Sequence, residues 1–300
     1  MESQKQENAQ LEPDVMTHQQ ALDAGKTMGI DLLDAQLLLL HALGRSCHER
    51  AWLLAHDTDQ MLQDEQNQYM ALLQRRAIGV PVAYLTGVKE FYGLPFSVDK
   101  RVLVPRPETE TLVEWASELI TLQAKQSVGR PLKVLDLGTG SGILAITLKH
   151  LHPFIDASAT DKSEQVLSMA QLNASDLLPE GESVRFFQGE WFSPLVDEKF
   201  YLIVSNPPYI AENDKHLNAL EHEPIEALTS GEDGLDDIRH IVGHAAQYLL
   251  PGGWLLLEHG YDQSERVQKL FEQAGFANVQ TRSDLAGIDR ITGAQWQAGL

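Results

Sequence analysis

Val134-Leu135-Asp136-Leu137-Gly138-Thr139-Gly140-Ser141-Gly142 decides the fold. An apolar strand runs directly into three glycines at alternate positions, and Ile143–Leu151 then continues as an apolar helix. Glycines at such a junction let the backbone turn sharply and let a ligand approach the amides at the helix N-terminus. A dinucleotide fingerprint would place its third glycine at position 143, where Ile143 stands. The Gly-Lys-Ser/Thr ending of a phosphate-binding P-loop is also missing. A tight turn with no ligand is the bland alternative. The aspartate two residues before the first glycine, in a strand–turn–helix context, argues for a binding loop instead.

Three further signals follow, each at the end of a candidate strand. Asp161 closes Ile155–Thr160 and stands 19 residues beyond Gly142, close to the ~20 expected of an acid that grips ribose hydroxyls. A helix N-cap for Ser163–Asn173 is its ordinary alternative. Gly189-Glu190-Trp191-Phe192 follows the strand Val184–Gln188 and sets an acid beside a large aromatic, a pair suited to the edge and face of an adenine. For Trp191 a place in the core competes evenly with that role. Asn206-Pro207-Pro208-Tyr209, after Tyr201–Ser205, is the sharpest signal. Two prolines stiffen the turn and remove backbone donors, so carbonyls stay free to accept. The asparagine adds an amide oxygen and the tyrosine a flat apolar wall, which together suit a planar NH2 group.

Strand–helix alternation continues through a helix over Gly234–Leu250, a strand at Trp254–Glu258 and a helix over Gln263–Ala274. Val279–Arg282 and Arg290–Thr292 close the chain as an antiparallel pair. This order implies a mainly parallel sheet covered on both faces. Upstream, Thr17–Ala77 is helical, with segments at Asp31–Leu43, stopped by Gly44, and at Glu65–Ile78. From Pro81 to Val104 the period changes to short strands and turns, a hairpin joining two domains. Pro105-Arg106-Pro107-Glu108-Thr109-Glu110 starts a helix running to Ala124, with Arg106 and Glu110 taken as structural there. The expected organisation is a frayed polar tail (1–12), a helical recognition domain (13–80), a β-hairpin linker (81–104) and a catalytic domain (105–300).

Charge and composition remove several classes. The 300 residues carry 23 Lys+Arg against 43 Asp+Glu, a net charge of −20, so the clustered basic surface that binds a phosphate backbone is lacking. No apolar run approaches the ~20 residues of a bilayer span, and the polar start has no secretory pattern, so a cytoplasmic protein without membrane contact is expected. The single cysteine, Cys47, excludes an internal disulfide and a cysteine-based zinc cluster. His240 and His244 stand four apart on a helix without an evident third ligand, so no metal is expected. Glu221-His222-Glu223 is assigned to a surface loop or a pocket rim.

The loop Asp136–Gly142 fits the D-x-G-x-G-x-G form of S-adenosylmethionine-dependent methyltransferases. With the other motifs it resembles the protein-glutamine N5-methyltransferases of the HemK/PrmC type, which act on peptide chain release factors. Phe91-x-Gly93-x-x-Phe96, Arg101–Glu110, Asp161, Trp191 and Asn206–Tyr209 carry the resemblance. Glu223-Pro224, Gly231-x-Asp233-Gly234-Leu235 and Asp284–Arg290 extend it. Departures are small: Glu190 stands where Asp is commoner, and Ser141 where Thr is frequent. The resemblance implies an α/β fold, a Rossmann-like seven-stranded class I methyltransferase domain behind a small helical N-terminal domain. It implies S-adenosyl-L-methionine held by Gly138, Thr139, Gly140, Ser141, Gly142, Asp161, Trp191 and Asn206. The acceptor glutamine, in a Gly-Gly-Gln motif, would be held by Asn206, Pro207, Pro208 and Tyr209, with Asn206, Pro207 and Tyr209 catalytic. A monomer acting on a release factor is expected. A glutamine in a ribosomal protein is the alternative acceptor. Asn-Pro-Pro-Tyr also serves adenine-N6 methyltransferases, a reading the net charge of −20 disfavours. A cofactor-binding scaffold without activity is disfavoured by the intact motifs.

Overall fold

The computed structural model describes residues 15–126 and 131–297. The polar tail assigned to 1–12 lies outside them. The chain divides into two compact units, Met1–Thr86 and Gly87–Leu300.

The first unit contains α1 (His18–Thr27), α2 (Leu32–Ala42), α3 (Arg50–Ala55), α4 (Gln63–Ala77) and α5 (Val82–Thr86). Thr17 and Gln20 form a reciprocal capping box at α1, and the Asp31 side chain accepts from the Leu33 amide at α2. Leu38, Leu39 and Leu40 are all buried, so α2 forms the centre of the bundle, packed with Leu53, Met61, Tyr69 and Leu73. The stretch expected to turn into strands at Pro81 instead adds the short helix α5. The Pro81 carbonyl accepts from Tyr84 and Leu85, consistent with proline's fit to a first helical turn.

The second unit begins with an antiparallel hairpin, β1 (Val88–Phe91) and β2 (Leu94–Ser97). Its two turn residues, Tyr92 and Gly93, both have positive φ, as the tightest right-twisted hairpins require. Phe91 and Phe96 are buried with Leu112 and Trp115 in that unit's core, and Asn173 bonds both backbone groups of Ser97. The hairpin is therefore packed into the second unit over 88–97, narrower than the expected 81–104 segment.

A seven-stranded sheet follows: β3 (Lys133–Leu137), β4 (Asp156–Asp161), β5 (Arg185–Gln188), β6 (Phe200–Ser205), β7 (Leu249–Glu258), β8 (Ala277–Ser283) and β9 (Asp289–Gln295). Its order is β5-β4-β3-β6-β7-β9-β8, parallel from β5 to β7, with β9 antiparallel to both its neighbours. Helices α6 (Glu110–Ala124) and α7 (Ile143–Leu151) cover one face, where Trp115, Ile120, Leu144 and Leu148 meet alternate residues of β3 and β6. Helix α8 (Glu164–Leu177) packs beside α7. Helices α9 (Asp236–Ala245) and α10 (Ser264–Gln273) cover the other face through Ile238, Ile241, Val267 and Phe271. The helix expected to reach Leu250 ends at Ala245 because Leu249 already pairs with Phe200 as the start of β7.

This order fixes where a ligand can go. From β3 the chain builds outward to β4 and β5, then returns to β6 on the other side of β3. The carboxyl ends of β3 and β6 thus flank the crevice where doubly wound sheets bind ligands. Leu137 lies beside Ser205 in register, so the glycine loop and the Asn-Pro-Pro-Tyr turn leave the sheet side by side. Among the described residues, no helix is long and apolar enough to cross a membrane.

Candidate active site

A cavity of about 640 Å³ opens at this crevice. Gly138, Thr139, Gly140, Ser141, Asp161, Trp191, Asn206 and Pro208 line it, joined by Asp136, Arg101 and Arg106. Of the residues singled out from sequence, Gly142, Pro207 and Tyr209 do not line it. Gly142 caps α7 from below with φ 90, and Pro207 is buried behind the turn. Tyr209, expected as a wall of the acceptor slot, instead packs against the α9/α10 core and donates its hydroxyl to Glu258 at 3.2 Å.

The glycine loop is braced from beneath. Asp136, 1 % exposed, accepts from the Thr139 hydroxyl at 2.6 Å and from the Ala145 amide at 3.2 Å. Burial pushes its carboxyl up to about 7, partly opposed by those two hydrogen bonds. Asn173 of α8 donates to the Ser141 carbonyl and holds the loop from the side. At Gly138, with φ 68, an added Cβ would lie 3.1 Å from the Trp191 ring, so the first glycine is a close approach as well as a turn. Trp191 thereby lines the cavity beside the loop and also packs against the α9/α10 core.

Asp161 sits across the loop. Its Oδ2 accepts from the Gly140 amide at 3.2 Å and its Oδ1 from Ser163 at 3.0 Å. Ser163, not Asp161, is the N-cap of α8, and the Asp161 carboxylate instead braces the glycine loop and the start of that helix. Burial raises its pKa, with backbone hydrogen bonds from Ser163 and Gly140 acting the other way. A carboxylate oxygen can accept more than one hydrogen bond, so both oxygens retain capacity toward the cavity.

Asn206 carries the most informative atom. Its Nδ2 donates to Thr109 Oγ1 at 3.2 Å, while its Oδ1 is buried with no hydrogen-bond partner. A buried acceptor left empty costs roughly 1–3 kcal/mol, which a folded chain tolerates where a ligand supplies the donor.

Arg106 and Glu110 are anchored structurally. Arg106 pairs with Glu223 at 2.5 Å, Glu223 also accepts from the Val104 amide, and Glu110 accepts from the Tyr92 amide in the hairpin turn. Glu223 is thus buried beneath the rim, whereas Glu221 is exposed. His240 and His244 stack at 4.3 Å on the exposed face of α9. Thr109, inside the Pro105–Glu110 motif, and Glu258, at the end of an apolar strand, are buried behind Asn206 and Tyr209, and neither was singled out as a site residue.

Burial pushes the Glu258 carboxyl up to about 7, while the Tyr209 hydrogen bond acts the other way. Below the ordinary carboxylate range both folded and unfolded chains keep this proton, and its stabilising contribution is full. As pH rises toward 7 the unfolded chain releases the proton first, and the contribution is lost. Glu258→Gln should therefore gain stability relative to the parent between about pH 5 and pH 8. Calorimetric melting temperatures at the two pH values check this, and a pH-independent difference would contradict it.

Residues 19–87 match the PrmC N-terminal domain, and residues 111–231 match the methyltransferase small domain. A release factor glutamine methyltransferase from Bordetella pertussis is 45% identical over 268 residues, covering 88% of this chain and 95% of that protein. One from Coxiella burnetii is 43% identical over 259 residues, covering 86% and 90%. The hMettl16 catalytic domain, solved in complex with an RNA hairpin, has a TM-score of 0.52 at 17% identity, covering 75% of this chain and 81% of its own, and shares the fold alone. With identity of this order along nearly the whole of both sequences, the chain belongs to the family of release factor glutamine methyltransferases.

Proposed function

We propose that this chain transfers a methyl group from S-adenosyl-L-methionine to the side-chain amide nitrogen (N5) of the glutamine in the Gly-Gly-Gln motif of a peptide chain release factor. The unpartnered Asn206 Oδ1 at the crevice between β3 and β6 carries this reading. An acceptor there wants an N–H donor, and a primary amide brings two.

The lining fits the methyl donor. The positive-φ glycines at 138, 140 and 142 keep side chains out of the loop, Asp161 offers carboxylate oxygens for ribose hydroxyls, and Trp191 offers an aromatic face. Gly138, Thr139, Gly140, Ser141, Asp161, Trp191 and Asn206 would hold the donor, with Gly142 shaping the loop from beneath. When bound it supplies an electrophilic methyl group on a sulfonium.

An amide nitrogen is a poor nucleophile because its lone pair is delocalised into the carbonyl. Asn206 Oδ1 and the Pro207 carbonyl, accepting the two N–H bonds, would orient the nitrogen and stabilise the positive charge that grows on it. The buried Pro207 and the stiff Pro-Pro turn keep those acceptors in place. No general base is needed while the bond forms, since the methylated amide loses its proton afterwards. The helical unit would hold a second surface of the factor, making recognition bivalent. The net charge of −20 suits a basic, RNA-facing protein better than a phosphate backbone.

The test offers a donor with a labelled methyl group and three purified acceptors: a release factor, ribosomal proteins and double-stranded DNA. Label on the release factor is the expected result. Label on a ribosomal protein or on DNA alone would replace this reading with that acceptor.

A further inference from the structure

We propose that Glu223 and Arg106 are positioning residues, a clasp that sets the acceptor side of the cavity, an inference that rests on the functional reading given above. Glu223 lies in the long connection from β6 to α9, just ahead of Pro224, Ala227 and Thr229, which line the cavity. Arg106 follows Val102, Leu103 and Pro105, which line it from the segment ahead of α6. The Glu223 side chain is 3 % exposed, and its Oε1 pairs with Arg106 at 2.5 Å. Its Oε2 accepts from the Val104 amide at 3.1 Å. One buried carboxylate thus ties two walls of the cavity together.

The clasp also reaches Asn206. Pro105 and Pro107 flank Arg106, and a residue before proline is confined to extended backbone, where Arg106 stands at φ −104 and ψ 141. The chain then turns at once. The Thr109 amide donates to the Arg106 carbonyl at 3.2 Å, and Thr109 Oγ1 accepts from Asn206 Nδ2. The connection that leaves β6 is therefore fastened to Val104–Thr109 twice, at Asn206 and again at Glu223. Gly138, Asp161 and Trp191, on the donor side, are placed by β3, β4 and β5 instead. A buried ion pair adds little net stability over an apolar pair of the same shape, so stability alone does not account for this one. Fixing the geometry of the two walls does.

The test uses the full chain, with labelled methyl transfer to a release factor and calorimetric titration of S-adenosylmethionine. Glu223→Gln keeps an oxygen for the Val104 amide and removes the charge that holds Arg106, whose side chain is 34 % exposed and can turn to water. It should lower kcat/KM for the factor by about ten- to a hundredfold, the effect of a misplacement of about 1 Å. Affinity for S-adenosylmethionine should change less than about threefold, since the donor side keeps its own supports. Arg106→Met leaves Glu223 buried without its partner and should also lower the melting temperature. Combining Arg106→Met with Glu223→Gln should restore the melting temperature but not the activity, and kcat/KM should fall no further than in the worse single variant. Unchanged kcat/KM in Glu223→Gln, a parallel loss of donor affinity, or a double variant that regains activity overturns the clasp while leaving the functional reading intact. So do single losses that add in the double variant. A parent protein that binds the methyl donor yet labels no release factor overturns that reading, and this inference with it.

Discussion

Replacing Asn206 by alanine is expected to lower kcat for methyl transfer by about 10²–10³-fold, with KM for the protein acceptor changed only a few-fold. The asymmetry follows from when its oxygen matters. In the ground state Oδ1 accepts one N–H of a neutral amide, a bond that water also offers the free acceptor. As the methyl bond forms, the nitrogen becomes cationic and the same bond becomes charge-assisted, so most of its worth appears at the transition state. The Thr109 contact leaves this oxygen empty before the acceptor arrives, so little reorganisation is needed at the moment of reaction. Steady-state kinetics of Asn206→Ala on a release factor measure the split. A loss confined to KM would show that Asn206 docks the acceptor without acting on the nitrogen.

Replacing Asp161 by alanine should weaken S-adenosylmethionine binding by about 1–3 kcal/mol, because two ribose hydroxyls lose their acceptor in a partly buried site. Asp161 also receives the Gly140 and Ser163 amides, so alanine loosens the loop as well. Asp161→Asn separates the two contributions, since its one remaining oxygen can keep either a backbone amide or a hydroxyl but not the full set. Its affinity should fall between those of the parent and Asp161→Ala in calorimetric titration. Unchanged affinity in a folded Asp161→Ala would remove the ribose role.

What the sequence makes legible is local in character. The strand, glycine loop and helix across Lys133–Leu151 follow from apolar runs and glycine spacing, and the structure bears them out to within a residue at each end. The closing antiparallel pair was legible for the same reason, although β9 runs on to Gln295. Where Tyr248-Leu249-Leu250 joins α9 to β7, a short apolar run suits either period, and pairing with Phe200 decides for the strand. Pro81 fits an extended turn or a helix start equally well, and α5 takes the second. The residues behind the site were not legible because their partners lie far along the chain. Thr109 meets Asn206 across 97 positions, Glu223 meets Arg106 across 117, and Asn173 meets Ser97 across 76. Glu258 stands at the end of an apolar strand, where sequence suggests an acid turning to water. Only the side-by-side register of β6 and β7 reveals that it turns inward to Tyr209.

The central claim is that the acceptor atom is a glutamine side-chain nitrogen. It is tested most directly by locating the transferred methyl group. The chain is incubated with a release factor and S-adenosylmethionine carrying a heavy-isotope methyl group, the factor is digested, and fragments are sequenced by tandem mass spectrometry. One heavy methyl group on the side-chain amide of the Gly-Gly-Gln glutamine, released as heavy methylamine on acid hydrolysis, is the expected result. A heavy methyl group on any other residue, on a carboxylate oxygen or on an adenine would contradict it.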